Sequence, residues 1–523
     1  MLLRTIRTRV PGIVIVPVLA FLSLAAWSLA SPVGASPDDD FHLASIWCGV
    51  GERAGICEAG DQADERDVAA DLVIDSVCYA YHPTVSASCQ GDDFGDHPDQ
   101  VVSSGRGNFA GLYPPVFYFV DGLLASPDIN ASVIAMRLLN AALFVLLGVA
   151  TYLLLPIRLR PALLTGLVLP MVPLGMFIIP STNPSSWALL SAGVLWISVL
   201  GYYESTGRRR VGLAAVAAIA TVLGGGARAD AAVYAVIAIG IAGFLAFRRD
   251  RAFLLQSITP LALVIVSVLF YFSASQSGSA LGGLEGAQHR PASISAWIAL
   301  FVLNLANAPD LWVGVFGKWG LGWLDTAMPA AVWVGAFGIL VGAIAIALRS
   351  RTRRVNAAIV GLVALLFVVP SYILTQTNAV VGGYVQPRYI MPLIVILAGV
   401  ALVSTGRRFL VPRSALIVAV PVLALANSLA LYVNIRRYVT GIDSMGPNLD
   451  SGAEWWWSGV PGPMVVWIGG SIAFAALLVV LTVPLGKRGS DEEPLILTQP
   501  ALSGSPQRTA EPRPSTAGPR SAR

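Results

Sequence analysis

The strongest chemical signal in the sequence is the run Pro37-Asp38-Asp39-Asp40-Phe41-His42, which follows the first long apolar segment. Three adjacent carboxylates beside a membrane repel one another and are repelled by anionic lipid phosphates. Such a cost is tolerated where a carboxylate has to act as a base or to bind a metal ion. The alternative interpretation is a charged stop that fixes the end of the first membrane helix.

Two arginines near predicted helix starts could bind a phosphate. Arg388 precedes Tyr389 in the segment 382–392, and its planar guanidinium could hold a lipid phosphate through two parallel hydrogen bonds. The alternative is an arginine that snorkels to the lipid headgroups. Arg228 follows three glycines and is a weaker candidate, because it could simply pair with Asp230.

No P-loop, zinc-binding spacing, GxSxG elbow or dinucleotide fingerprint stands in a plausible context in the sequence. The apolar segments are almost free of ionisable residues, which argues against a proton or ion pathway. Such residues cluster instead at the predicted outer ends of the segments, at Arg137, Arg228, Asp230, Arg388, Arg436 and Arg437. A catalytic function is therefore expected at the outer membrane face.

The elements that must position these residues are membrane helices. Of the 523 residues, 55% are hydrophobic and 12% are charged, whereas soluble domains carry about 25% charged residues. A span needs about 20 mostly apolar residues, and only helices satisfy every backbone group in such runs. Twelve apolar segments are predicted to span, several of them shorter than this length: 11–30, 132–155, 162–179, 186–203, 211–223, 231–247, 253–274, 329–348, 355–375, 389–404, 414–434 and 464–485. The net charge of +4 is too small to indicate nucleic-acid binding.

Arginine and lysine cluster in alternate connections, which are predicted to be cytoplasmic. These clusters are Arg4, Arg7 and Arg9; Arg158 and Arg160; Arg208 to Arg210; Arg248, Arg249 and Arg251; Arg349, Arg351, Arg353 and Arg354; Arg407, Arg408 and Arg413; and Lys487 and Arg488. Twelve crossings place both termini in the cytoplasm. The apolar segment 294–306 must then be re-entrant or interfacial. The first segment is predicted to be an uncleaved anchor, with a signal peptide cleaved near Val33-Gly34-Ala35 as the alternative.

Three long regions are predicted on the outer side: 31–130, 275–328 and 435–463. The first carries all four cysteines, Cys48, Cys57, Cys78 and Cys89, which predicts two disulfides in an exported loop. Three connectivities are possible, and the pairing Cys48–Cys57 with Cys78–Cys89 closes the shortest loops. The alternative is free buried thiols. The acidic stretch 61–75 is expected to be a solvated surface, and a calcium site there is only weakly indicated.

Aromatic residues and prolines predict an interfacial helix over 112–119 and an interfacial belt in the other outer regions. Carbohydrate stacking is the alternative for the aromatic residues. The tail 489–523 is rich in Pro, Ser, Arg and Gly and is predicted to be disordered in the cytoplasm. The chain is therefore expected to be an all-α polytopic membrane domain, 1–488, followed by this tail.

Taken in order, these motifs resemble a bacterial polytopic membrane family that is known only as the domain of unknown function numbered 2142. The resemblance covers roughly residues 10–485. It rests on Pro37-Asp38-Asp39 with His42, Tyr113-Pro114-Pro115, Phe316-Gly317, Gly322-Trp323-Leu324-Asp325-Thr326 with Pro329, Gln386-Pro387-Arg388-Tyr389 with Pro392, and Arg437-Tyr438 with Gly441. That family looks like the C superfamily of membrane glycosyltransferases, which transfer a sugar from a polyprenyl-phosphate carrier on the exported side.

The resemblance implies that an acidic pair in the first outer loop supplies the catalytic carboxylate. The pair is Asp38-Asp39 if the alignment follows Pro37, and Asp39-Asp40 if it follows the distance to His42. The triple Asp departs from the family pattern and leaves both assignments open. A requirement for a divalent cation is also left open. His42 is expected to orient the carboxylate or to contact phosphate. The candidate substrate-binding residues are Arg388, Tyr389, Arg228 and Arg437.

The favoured interpretation is an inverting glycosyltransferase that uses a polyprenyl-phosphate sugar and an envelope glycan or lipid acceptor on the outer face of the cell membrane. A carboxylate would deprotonate the acceptor hydroxyl, and an arginine would offset the charge growing on the phosphate. The alternatives are a flippase or transporter of lipid-linked glycans and a scaffold for envelope synthesis. Neither an inverted repeat nor a broken helix pair at mid-membrane is predicted, which disfavours a transporter. Membrane lipid and the lipid-linked donor are the expected partners, without nucleic acid.

Overall fold

The computed structural model describes residues 12–95, 100–278, 291–348, 352–403 and 413–486, which form an all-α bundle with a small cap at one end. The helices are α1 (Gly12–Leu29), α2 (Asp39–Trp47), α3 (Ala70–Val73), α4 (Val116–Gly122), α5 (Ile129–Leu154), α6 (Arg160–Val168), α7 (Leu174–Ile178), α8 (Ser185–Glu204), α9 (Gly207–Ala227), α10 (Ala229–Ala246), α11 (Arg251–Gln256), α12 (Ile258–Phe272), α13 (Ile294–Val315), α14 (Ala330–Leu348), α15 (Arg353–Gln376), α16 (Pro387–Ala401), α17 (Arg413–Val439) and α18 (Pro463–Gly486). The strands are β1 (Glu58–Ala59), β2 (Arg66–Ala69) and β3 (Val101–Ser104).

Eleven helices in the described part of the chain are long and apolar enough to cross a membrane, with α11 and α12 counted as one. They are α1, α5, α8, α9, α10, α11–α12, α13, α14, α15, α17 and α18. Some of their apolar side chains lie on the outer surface of the bundle, and others pack in its interior. Every residue of α8 except Glu204 is buried, so α8 lies at the centre. The predicted polytopic helical membrane protein is confirmed.

Two further segments cross the bundle without qualifying by length. The predicted span 162–179 is broken into α6 and α7, a break that the apolar pattern does not predict. Residues 170–180 around and beyond the break are buried, and irregular backbone at membrane depth is tolerated where protein surrounds it. The 15-residue helix α16 is buried at every residue except Tyr389. Its short length is compatible with a crossing because it faces protein rather than lipid.

The predicted re-entrant or interfacial segment 294–306 is part of a longer helix, α13, whose 22 residues would suffice to cross a membrane. Both ends of α13 nevertheless lie towards the cap. Near its start Trp297 Nε1 donates to Gln376 at the end of α15, 3.3 Å away, and near its end Gly314 lies against Pro387 at the start of α16. Ten of the eleven long helices, together with α6–α7 and α16, are therefore the candidates for the twelve predicted crossings in the described residues.

The cap comprises the described residues 31–95 and 100–128, between α1 and α5. It contains α2, α3, α4 and an antiparallel sheet in the order β1-β2-β3. Cys48 is bonded to Cys57 and Cys78 to Cys89, so the two predicted local disulfides are confirmed. The predicted interfacial helix over 112–119 starts only at Val116, after two prolines, and as α4 it packs against α2 and α9.

The described arginine clusters lie at the end of the bundle opposite the cap. Arg158 pairs with Glu204 at 2.6 Å, and Arg354 Nη1 donates to Phe247 O at 2.7 Å. The structure thus separates the arginine-rich end from the disulfide-bearing end, as predicted. The other predicted cytoplasmic positions, which include Arg4 to Arg9, Arg349, Arg351, Arg407, Arg408, Lys487, Arg488 and the tail 489–523, lie outside the described residues.

A candidate active site beneath the cap

The path of the chain into the acidic triad is set by a buried arginine on α5. Arg137 donates from Nη1 to Ser28 O at 3.1 Å and Ser31 O at 2.6 Å, and from Nη2 to Pro32 O at 2.6 Å. The last carbonyls of a helix lack hydrogen-bond partners within the helix. At the end of α1, Arg137 donates to one such carbonyl and to two carbonyls of the following loop. This residue, which sequence analysis places near the outer ends, therefore positions the loop that carries the triad.

The three adjacent carboxylates point to three different partners. Asp38 Oδ2 lies 2.5 Å from Arg388 Nη2, and the Asp38 side chain keeps 35% of its surface exposed. Asp39 is fully buried and accepts hydrogen bonds from Ser36 N at 3.0 Å and from Thr182 Oγ1 at 3.1 and 3.2 Å. Asp40 accepts from Arg106 Nε at 2.5 Å and Nη2 at 3.1 Å. Only the first of the three faces the candidate phosphate-binding arginines.

Asp38 is held as a carboxylate in an unusual backbone conformation. Its φ of +62° lies in the left-handed region, which Asp tolerates better than most residues. Burial would raise the pKa of Asp38, but the charge and hydrogen bond of Arg388, with a smaller contribution from the charge of Arg106, outweigh burial, and the pKa is lowered. Asp38 is therefore ionised at neutral pH and able to accept a proton from a bound hydroxyl.

Asp39 is part of the scaffold under the site. Burial raises the pKa of Asp39 to about 7, although Arg137 and the hydrogen bonds from Ser36 and Thr182 oppose this shift. The neighbouring Asn183 donates from Nδ2 to Pro37 O at 2.8 Å. Sequence analysis missed Thr182 and Asn183. The signal that could have found them is the polar turn Pro180-Ser181-Thr182-Asn183-Pro184 between two apolar segments.

A second buried acid supports the same turn from below. Asp121 on α4 accepts from Asn140 Nδ2 at 3.1 Å, and the same amide nitrogen donates to Ser181 O at 2.9 Å. Asn140 Oδ1 in turn accepts from Trp187 Nε1 at 2.8 Å. Burial raises the pKa of Asp121 to about 8, with the Asn140 hydrogen bond opposing it. Sequence analysis missed this network too.

Two arginines share one tyrosine ring next to Asp38. The guanidinium carbon of Arg228 lies 4.9 Å from the Tyr389 ring centroid, and that of Arg388 lies 5.0 Å from it. The predicted pair of Arg228 and Asp230 forms, with distances of 2.8 and 2.9 Å. Arg228 nevertheless has a buried Nη1 without a hydrogen-bond partner. Arg388 has two such nitrogens, Nε and Nη1. Buried N–H groups without acceptors are costly, and phosphate oxygens would satisfy them.

His42 lies beside this group but bonds to a tyrosine. Its Nδ1 is 2.9 Å from Tyr118 Oη, while its Nε2 is buried without a partner. Burial lowers the pKa of His42 to about 3, although Asp38 opposes the shift. The imidazole is therefore neutral at physiological pH, and its Nε2 can make one neutral hydrogen bond.

Arg437, the fourth predicted substrate-binding residue, is not brought together with the others. It is fully buried, and its Nη2 donates to Asp325 Oδ2 and to Tyr79 O, each at 2.8 Å. Its Nη1 donates to Val85 O at 2.6 Å. These bonds attach the disulfide loop 78–89 to α17, which gives Arg437 a structural role in this arrangement.

The described residues include no group of three His, Cys, Asp or Glu side chains that could hold a metal ion. The triad does not converge on one point, because each carboxylate has its own partner. The residues present therefore do not fit the divalent cation that the resemblance leaves open. What the site offers is a carboxylate next to two arginines with unused N–H groups.

Comparison with known proteins gives one match. A protein family described as "Predicted membrane protein (DUF2142)" matches residues 21–397, which include α1, the acidic triad, Arg228 and the Arg388-Tyr389 pair. No curated protein and no solved structure matches the chain.

Proposed function

The chain belongs to the DUF2142 family of predicted membrane proteins, and from that premise we propose that it is a membrane-embedded glycosyltransferase. It moves a sugar from a polyprenyl-phosphate donor to a cell-envelope acceptor at the cap end of the bundle. The observation that carries the proposal is the contact of Asp38 with Arg388, next to the unpartnered N–H groups of Arg388 and Arg228.

The two arginines hold the phosphate of the donor. Both are about 3% exposed, and a phosphate that reaches them from the lipid side leaves bulk water behind. In such surroundings preorganised donors stabilise developing charge far more than in water. The ring of Tyr389 contacts both guanidinium groups and holds them close together, so both act on the same leaving group.

Asp38 is the base. When the donor phosphate binds Arg388, it competes with Asp38 for the guanidinium and frees the carboxylate. The acceptor oxygen then attacks the anomeric carbon from the side opposite the phosphate. The bond from this carbon to the phosphate oxygen breaks, its electron pair leaves with the polyprenyl phosphate, and the acceptor proton passes to Asp38. One displacement of this kind inverts the anomeric centre. Asp39 is less suited to be the base, because its oxygens already accept bonds from Ser36 and Thr182.

The cap end corresponds to the exported side of the cell membrane in this proposal. Two disulfides in the cap fit an oxidising compartment. The arginine-rich connections at the other end fit the cytoplasm, which places both termini there. The acceptor is then an envelope glycan or lipid that reaches the cap from outside.

The test uses purified full-length protein in lipid nanodiscs with a panel of polyprenyl-phosphate sugars and an extract of envelope acceptors. Release of polyprenyl phosphate by wild-type protein and its loss in Asp38→Asn support the enzyme. If no donor is consumed, while vesicles that contain the protein move a lipid-linked glycan across the bilayer, the flippase replaces the enzyme. If neither occurs, the scaffold for envelope synthesis replaces it.

A further inference from the structure

An exposed tyrosine in a strained backbone conformation lies at the rim of the candidate site. Tyr81 has a φ of +64° and keeps 68% of its surface exposed. Bulky residues rarely adopt the left-handed region. This backbone conformation destabilises the fold when the residue is Tyr, whereas Gly adopts it without strain. A large aromatic residue that is both strained and exposed is not explained by packing.

The ring of Tyr81 packs against Trp323, which is hydrogen-bonded to the chain shortly before the acidic triad. The two ring centroids are 5.4 Å apart in an edge-on arrangement. Trp323 is itself buried and donates from Nε1 to Gly34 O at 2.9 Å, four residues before Asp38. Partial burial, and after it the charges of Asp38 and Asp40, raise the pKa of Tyr81, which agrees with this position.

The loop that carries Tyr81 is anchored at both ends. The bond between Cys78 and Cys89 closes it. Tyr79 Oη at 2.6 Å and Gln90 Nε2 at 2.9 Å both donate to Val33 O, on the chain that leads to the triad. Arg437 attaches the loop to α17 through Tyr79 O and Val85 O. Tyr81 is thus the exposed ring on a loop that is fixed relative to Asp38.

We propose that Tyr81 is an aromatic platform on which the sugar ring of the acceptor glycan stacks, so that an acceptor hydroxyl faces Asp38. This inference rests on the proposed function. The apolar C–H face of a sugar ring packs on the face of an aromatic ring, and the phenolic hydroxyl remains available for a hydrogen bond.

The position of Tyr81 suits contact with the acceptor rather than with the donor. The donor phosphate belongs at Arg228 and Arg388, which are about 3% exposed. Tyr81 is 68% exposed, so its ring is open to a glycan that arrives from the water. The loop closed by Cys78 and Cys89 therefore serves acceptor recognition. The loop closed by Cys48 and Cys57 does not carry Tyr81.

Tyr81→Gly separates function from stability. Gly accepts the left-handed backbone, so this variant should unfold at the same temperature as wild type or higher. Removal of the platform should raise the acceptor KM about tenfold, while hydrolysis of the donor by water is unchanged. Tyr81→Phe keeps the ring and should stay within about threefold of wild type. The double Cys→Ser change at Cys78 and Cys89 should also raise the acceptor KM, but unlike Tyr81→Gly it should lower the stability of the fold. The same change at Cys48 and Cys57 is the matched control and should leave the acceptor KM unchanged.

Direct binding keeps this test independent of turnover. The probe is a panel of short linear glucans, mannans, galactans and arabinans on a glycan array, without donor. Wild-type protein should retain at least one member, and Tyr81→Gly should bind it about tenfold more weakly. Equal binding by both proteins, or no binding by wild-type protein, overturns the platform. Failure to consume any donor, with glycan binding still dependent on Tyr81, overturns the transferase alone.

Discussion

Asp38 Oδ2 and Arg388 Nη2 lie 2.5 Å apart although 350 residues separate them in the chain. One follows the end of α1 and the other stands in the first turn of α16. The contact joins the proposed base to the proposed phosphate ligand. Each group neutralises the other, and a donor phosphate that binds Arg388 would replace Asp38. In the proposed mechanism, this contact would couple donor binding to activation of the base.

Asp38→Asn removes the charge of the proposed base while nearly preserving its shape. Loss of a general base typically lowers the rate about 100- to 10,000-fold, so transfer should fall by that factor at near-normal expression. The measurement is release of polyprenyl phosphate by purified protein. Asp40→Asn is the matched control. Its partner Arg106 is half exposed, and an exposed pair is worth about 1 kcal/mol or less, so transfer should remain near wild type. Equal activity of Asp38→Asn and wild type would remove Asp38 as the base.

Arg388→Lys keeps the positive charge but loses the planar fork. A hydrogen bond to a charged group contributes about 1.5–3 kcal/mol, which corresponds to a fall of about 10- to 150-fold in kcat/KM for the donor. Arg388→Ala should be more severe. Arg106→Lys, in a half-exposed pair, is the control. A fully active Arg388→Lys variant would support the interpretation of an arginine that only reaches for the headgroups.

Asp39 should make the stability of the fold depend on pH. Burial raises its pKa to about 7 from 3.8, so the folded chain binds a proton that the unfolded chain releases. The resulting stabilisation is complete below about pH 3.8 and is lost as the pH rises to about 7. Asp39→Asn lacks this dependence. The melting temperature of the variant should therefore rise relative to that of wild type between pH 5 and pH 8, with Asp40→Asn as the control. A pH-independent difference would contradict a neutral buried Asp39.

The disulfides can be tested by thiol labelling. Cys48, Cys57, Cys78 and Cys89 should resist maleimide in unfolded, unreduced protein and react after reduction. Removal of a native disulfide typically costs about 2–5 kcal/mol, so either paired Cys→Ser change should lower the amount of protein in the membrane. Labelling of all four thiols without reductant would contradict the pairing.

Reporter fusions can assign the two ends of the bundle to their sides of the membrane. Fusions after Arg210, Arg251 and Arg354 should report the cytoplasm because of the arginine bias of these connections. Fusions at Gly91 in the cap and at Gly446 after α17 should report the exported side. A cytoplasmic signal at Gly91 would place the candidate site on the wrong face for an exported acceptor.

The sequence by itself determines the class of the protein and the division of its two ends. Long apolar runs can satisfy their backbone in lipid only as helices, so the bundle follows from local composition. The arginine clusters and the four cysteines separate one end from the other, and short loops favour the observed cysteine pairs. Parity of the crossings also predicts that 294–306 does not span, although it could not predict that the segment belongs to a 22-residue helix.

Only the tertiary structure decided which polar residues form the site. The three Asp residues have nearly the same sequence surroundings, and the direction of each side chain depends on the turn at the start of α2 and on partners such as Thr182, which lies 143 residues from Asp39. Arg388-Tyr389 and Arg437-Tyr438 look alike in sequence. Arg437 uses both terminal nitrogens for Asp325 and two loop carbonyls and keeps only Nε unpartnered, whereas Arg388 keeps two buried nitrogens without partners. Which buried donors remain unpaired depends on contacts between distant segments, and these exist only in the folded chain.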